Sequence, residues 1–142
     1  MAIQISVPAE SVPFGVALAK AYVRITDVHI NWSDKTMLFQ SSVWADKGSR
    51  DGKRQPIMQV QPILIRKEAT PASFRIKTDA QGQQVVENGE PVMEQTSPAF
   101  PSFDEVELLI GQAILANQEY RKVGYDLLKK LDLVKNNSPS DV

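Results

Sequence analysis

The stretch Ala21–Asp46, AYVRITDVHINWSDKTMLFQSSVWAD, decides how the chain is read. Ala21, Val23 and Ile25 alternate with polar neighbours, then Val28, Ile30 and Trp32 alternate in the other phase. Strand side chains repeat with period two, so this change of phase predicts a bulge or sharp twist near Thr26–Asp27 and an apolar set on each face. Ser33-Asp34-Lys35 has turn chemistry. Thr36–Asp46 then returns as a second strand, with Met37, Phe39 and Val43 in one phase and Leu38 and Trp44 in the other. An antiparallel hairpin with partners for both faces is the expectation.

Outward from the hairpin, residues 1–19 alternate at Ile3, Ile5 and Val7, and Pro8 and Pro13 forbid a helix. They are expected as an extended N-terminal segment, either an edge strand or an arm that pairs with something else. The segment DKGSRDGKR at 46–54 is a polar loop whose Lys47, Arg50, Lys53 and Arg54 either point into solvent or meet a partner's carboxylates or phosphates. Gln55–Arg66 completes a β core over 20–66, with Pro56 and Pro62 fitting an edge strand or a bulge. Residues 67–102 are rich in turn formers and expected as a long hairpin or loop insertion. It has β islands at Phe74–Thr78 and Gln84–Glu87 and turns at Asp79–Gly82 and Asn88-Gly89.

Ser102-Phe103-Asp104-Glu105 has the spacing of a capping box, and a helical apolar stripe runs from Val106 to Val134. A continuous helix over 103–133 would be about 46 Å long, against a radius of gyration near 14 Å for a domain of this size. The helix therefore breaks, around Ala116–Glu119 or Gly124, or part of it projects onto another subunit. Tyr120, Val123, Leu127 and Leu131 are the residues expected to form its docking face. Residues 135–142 are expected as a flexible tail.

The whole reads as one α+β domain over 1–142: an antiparallel sheet, as a hairpin-based sandwich or small barrel, with a C-terminal helix or helical hairpin. A net charge of −1 gives no global attraction to nucleic acid, and no apolar run is long enough to cross a membrane as a helix. The start of the chain lacks the basic region of a secretory signal. With no cysteine, thiolate metal sites and cysteine nucleophiles are excluded. His29 is the only histidine, no Gly-x-Ser-x-Gly elbow surrounds a serine, and no glycine-rich phosphate loop precedes a helix. No cofactor or metal is expected, and no catalytic residues. Arg24, His29, Trp32, Phe39 and Trp44 could form a sugar- or single-strand-binding platform, but aromatics of this kind more commonly fill a core.

Ala21-Tyr22-Val23-Arg24-Ile25, then Val28, the Ser-Asp-Lys turn and the second strand, resemble a hairpin of small tailed-bacteriophage virion proteins. The Ile5-Ser6-Val7-Pro8 approach and the ending Gly124-Tyr125-Asp126-Leu127-Leu128-Lys129-Lys130-Leu131 are similar too. The resemblance covers roughly residues 3–66 and 120–134, with 67–102 and the first half of the helix as insertions. It implies a non-enzymatic structural subunit of a tail, baseplate or fibre attachment. Such a subunit would be assembled in the bacterial cytoplasm, with copies of itself and other virion proteins as partners.

Overall fold

The computed structural model describes residues 2–137 and 139–142. In chain order, β1 (Ile3–Val7) and a 3-10 turn at Ala9–Ser11 lead into the long hairpin of β2 (Leu18–Asn31) and β3 (Thr36–Trp44). A short helix, α1 (Lys47–Asp51), precedes β4 (Met58–Ile65). Four short strands follow: β5 (Ser73–Ile76), β6 (Val86–Glu87), β7 (Glu90–Pro91) and β8 (Met93–Ser97). The chain then forms α2 (Phe103–Leu115), α3 (Arg121–Leu128), α4 (Asp132–Lys135) and β9 (Ser140–Asp141). Five strands make one antiparallel sheet in the order β4-β3-β2-β1-β9. The protein is therefore α+β with an antiparallel sheet and a helical C-terminal part. Helices, rather than a second sheet, supply the layer that covers the core.

The bulge falls where the change of phase predicts it. Ile25 lies opposite Ser41 while Asp27 lies opposite Gln40, which leaves Thr26 as the extra residue. Its effect on the side chains differs from the expectation of two apolar faces. The insertion restores the phase, so Val28 stands opposite Phe39 and Ile30 opposite Met37, on the side that Val23 and Ile25 already occupy. The hairpin's main apolar face is this one; Tyr22, Leu38 and Trp44 stand on the other, where Tyr22 is buried. A second irregularity, in β4, works the same way. Phe39 pairs with Ile63 but Ser41 with Val60, and the extra residue lies at Gln61–Pro62. Val60, Ile63 and Ile65 consequently all reach the core, and Pro62 sits in a bulged edge strand where its missing donor is harmless.

Both chain ends are built into the sheet: Ile3–Val7 is a strand, as one of the two alternatives had it, though flanked on both sides, and Ser140–Asp141 corrects the flexible tail. Ile3, Ile5 and Val7 are fully buried and β1 lies between β2 and β9. Ile3 pairs with Asp141, and Ala2 and Val142 exchange backbone hydrogen bonds at 3.1 Å. Met1 of the arm and Ser138 of the tail lie outside the described residues.

The long apolar stripe is divided. Ser102 caps α2 with the complete capping box, its side chain accepting from the Glu105 amide while Glu105 accepts from the Ser102 amide. The helix ends at Ala116, and Asn117 takes a left-handed φ of 55° that turns the chain back. α3 then descends onto the sheet at Gly124. A Cβ built there would lie 2.5 Å from Ile25 Cδ1 and 2.9 Å from Phe39 Cδ1, so only glycine permits this approach. Beside it, the buried Tyr125 hydroxyl accepts a hydrogen bond of 3.2 Å from the Ile25 amide, at the edge of the bulge. Burial pushes the Tyr125 phenol above its ordinary value, against the lowering effect of that amide.

Two outcomes follow from this contact. Alanine normally stabilises a helix interior by about 1 kcal/mol over glycine, but overpacking by one methyl costs about 1–3 kcal/mol. Ile25 can swing its end aside; the buried Phe39 ring has no such freedom. Gly124→Ala is expected to lower unfolding free energy in urea titrations, and Ile25→Val on the same chain to return part of the loss. Tyr125→Phe strands the Ile25 amide and should cost about 1–3 kcal/mol at neutral pH. Because the folded state holds the phenolic proton more tightly than the unfolded chain does, the Tyr125 contribution is complete below about pH 10 and falls as pH rises beyond it. Alkaline denaturation of the Phe variant should show less of that loss.

Candidate functional site

Residues 67–102 fold into an ordered β arm. Asn88 and Gly89 have φ of 52° and 79°, the backbone required of a two-residue hairpin turn, and join β6 to β7. At the other turn Asp79 Oδ1 accepts from the amides of Gln81 and Gln83, both at 2.9 Å. β5 pairs with β8, Ile76 opposite Met93 and Phe74 opposite Gln95, so Phe74, Ile76 and Met93 share one face. Arg75 and Glu94 form an ion pair on the other. At the base, Thr70 and Phe100 exchange backbone hydrogen bonds of 2.9 Å. No residue from Arg66 to Ser102 is buried, and Phe74 and Met93 are more than half exposed.

α2 is the second surface of this kind. Phe103, Val106 and Ala113 face the core, whereas Leu108, Leu109, Ile114 and Leu115 face outward, Leu115 with 88% of its surface exposed. A shallow groove of about 430 Å³ on this helix is lined by Asp104, Glu107, Leu108, Gly111, Gln112 and Leu115. A larger groove of about 860 Å³ runs between α2, α3 and the base of the arm. Pro71, Phe100, Leu109, Val123 and Leu127 line it beside a Lys122–Asp126 ion pair. Isolated hairpins are marginal in water, and apolar helix faces are ordinarily covered. The chemistry offered by these surfaces is apolar contact rimmed by carboxylates.

The residues expected to dock separate into three groups. Val123, Leu127 and Leu131 are buried in the chain's own core, because α3 turns back onto the sheet rather than projecting. That corrects their assignment to an external face. Tyr120, at the start of α3, is 40% exposed and lies against the Arg121 guanidinium, 5.7 Å from its ring centroid. Lys47, Lys53 and Arg54 are exposed, and Arg50 pairs with its neighbour Asp51 at 3.0 Å. The segment that carries them is not an unstructured loop: Asp46 caps α1 by accepting from the Ser49 amide at 2.6 Å. Hydrogen bonds from the Ser49 amide and hydroxyl hold the Asp46 carboxyl below the usual range.

Trp32 and Trp44 do not share a groove. Trp32, in the hairpin turn, packs edge-on against Phe103 with ring centroids 5.7 Å apart. Trp44 lies at the far end of β3 on the opposite face, beside Tyr22, its indole N–H donating to the Arg54 carbonyl at 3.0 Å. His29 Nε2 lies 2.7 Å from Asp27 on the exposed side of β2. Among the described residues no group of three or more histidines, cysteines or carboxylates could hold a metal ion, and no helix is long and apolar enough to cross a membrane. Comparison with protein-family models, curated proteins and solved structures returned no match.

Sequence reasoning missed the outer face of α2, because the stripe read through Val106, Ile110 and Ala113 left Leu108, Leu109, Ile114 and Leu115 out of account. The signal was present: Leu108-Leu109 and Ile114-Leu115 are adjacent pairs, and a single buried stripe cannot hold both members of each. Since the arm buries no residue, replacing 71–99 by Asn-Gly across the Thr70–Phe100 bridge is expected to leave the core folded. Its unfolding free energy should stay within about 1 kcal/mol of the full chain, measured by urea titration with near-ultraviolet circular dichroism as a check on packing.

Proposed function

We propose that the protein is a non-enzymatic structural subunit of a bacteriophage virion, in the tail, baseplate or fibre attachment, and acts by docking to neighbouring subunits. The observation that carries this reading is the pairing of a fully built core with an ordered outgrowth that buries nothing of its own. An arm that exposes Phe74, Ile76 and Met93, beside a helix that exposes Leu108 and Leu115, is surface a neighbour would cover.

The resemblance stated above adds independent support through its boundaries. Residues 3–66 and 120–134, which carry it, supply four of the five sheet strands together with α3. The stretches outside it, 67–102 and the first half of the expected helix, form the arm and α2. A shared core with a variable outgrowth is how a common subunit fold adapts to different neighbours. The sugar- or single-strand-binding alternative, built on Arg24, His29, Trp32, Phe39 and Trp44, finds these residues dispersed: Trp32 is exposed, Phe39 is buried in the core, and Trp44 lies at the other end of β3 on the opposite face.

The reading is tested in the particle. Density-purified virions from cells producing this chain should contain it in a fixed copy ratio by quantitative mass spectrometry. Phe74→Asp with Met93→Asp, exposed positions that leave folding intact, should reduce incorporation several-fold. A chain abundant in the lysate and missing from purified particles would sink the proposal.

A further inference from the structure

Two places in the chain set a glycine directly after an aspartate or asparagine, Asp51-Gly52 and Asn88-Gly89. At such a pair the glycine nitrogen can attack the preceding side chain and close a succinimide ring, because glycine has no Cβ to shield the nitrogen and its backbone turns freely.

The fold treats the two pairs differently. Gly52 ends α1, where its amide donates to the Gly48 carbonyl at 2.9 Å and Asp51 is held by Arg50 at 3.0 Å. The attacking nitrogen is engaged there. At the end of the arm Asn88 and Gly89 are both exposed. Neither the Gly89 amide nor the Asn88 side chain has a hydrogen-bond partner among the described residues. A Cβ built on Gly89 would meet nothing within 4 Å. Asn31, in the other hairpin turn, is tied down instead: it accepts from the Ser33 and Asp34 amides at 3.1 Å and donates to the Asp34 carboxylate at 2.9 Å.

Ring closure resets the backbone between Asn88 and Gly89, so the turn must open first, and little holds it shut. β6 and β7 are two residues each, and Glu87 stands directly opposite Glu90, like charges that weaken a hairpin. Local opening of so small a unit costs far less than global unfolding.

We infer that Asn88 is a self-modifying site, converting in the folded protein to aspartate and isoaspartate. The Gly89 nitrogen attacks Asn88 Cγ; the new C–N bond forms, the Cγ–Nδ2 bond breaks, the ring nitrogen gives up its proton, and the leaving amide takes one from water and departs as ammonia. A water molecule then opens the ring. Opening at Cγ gives aspartate, and opening at the main-chain carbonyl gives isoaspartate, whose backbone runs through the former side chain and is longer by a methylene. Water is the only co-reactant. A lengthened backbone cannot keep the register that a two-residue turn imposes, and either product adds a carboxylate between Glu87 and Glu90. The tip of the arm opens while the core, which the arm meets only at its base, keeps its structure.

Peptide mapping by mass spectrometry, with enzymatic methylation to count isoaspartate, tests it on chain aged at mildly alkaline pH, folded and in urea. In the folded chain Asn88 should convert within several-fold of its rate in urea, whereas isoaspartate at Asp51 should form on the order of tenfold more slowly than in urea. Hydrogen exchange at the Val85 and Val92 amides should quicken in the aged chain and that at Val23 and Phe39 should not. Asn88→Gln, whose longer side chain closes the ring poorly, should age without the change in exchange. An Asn88 as strongly protected by folding as Asp51, or arm exchange that stays the same once Asn88 has converted, would overturn the assignment. The chemistry needs only the free chain, so its failure would leave the subunit reading untouched.

Discussion

The structure turns on the approach of α3 to the bulge in β2. Gly124 brings the helix backbone into the space beside Ile25 and Phe39 that a side chain would fill, and Tyr125 delivers its hydroxyl to the Ile25 amide. A bulge interrupts a ladder, and an amide left unpaired in a core costs about as much as a lost hydrogen bond. Here the helix supplies the missing acceptor. One residue sets how deep the helix sits and the next sets its rotation, so Val123, Leu127, Leu128 and Leu131 all fall on the sheet. The same bulge keeps Val28 and Ile30 in phase with Val23 and Ile25. Both results, a continuous apolar core face and a helix seated on it, come from one inserted residue at Thr26.

The seating divides the chain into two kinds of structure. The sheet with α3 is closed by long-range pairing, including β1 with β9, and holds the main cluster of buried side chains. Between the two halves of that unit runs an excursion, the arm and α2, which touches the core chiefly through Phe103, Val106 and Phe100. Apart from Lys67, Arg75 and Lys77, the charged residues of the excursion are carboxylates. Apolar exposure and an acidic excess therefore coincide. Carboxylates beside exposed apolar side chains disfavour contact between two such surfaces, since like charges repel.

Much of the local architecture was legible in the residues. The bulge at Thr26, the Asn88-Gly89 turn, the Ser102–Glu105 capping box and the break before Tyr120 all rest on interactions within a few residues, and such signals are written locally. Two matters were not. Which segment flanks β1 on its outer side depends on pairing between residues more than a hundred positions apart, and Ile3–Val7 carries nothing in its own alternation to say that Ser140–Asp141 will lie there. Nor does an apolar stripe reveal what covers it. Val123, Leu127 and Leu131 looked like a docking face because a helix periodicity is the same whether the partner is another chain or the helix's own sheet. The acidic run from Thr78 to Tyr120 stands in the sequence, but the near-zero net charge averages it away.

The order of synthesis gives the Gly124 contact one more meaning. The sheet's apolar side is complete on the ribosome once Ile65 has emerged, yet the helix that covers it arrives roughly sixty residues later, after the arm and α2 have been made. At translation rates of about 5–20 residues per second, Val23, Phe39 and Ile63 wait about 3–12 seconds without their cover. During that interval the growing chain presents a bare strand face to water. A nascent chain so exposed offers the kind of apolar strand face that chaperones bind.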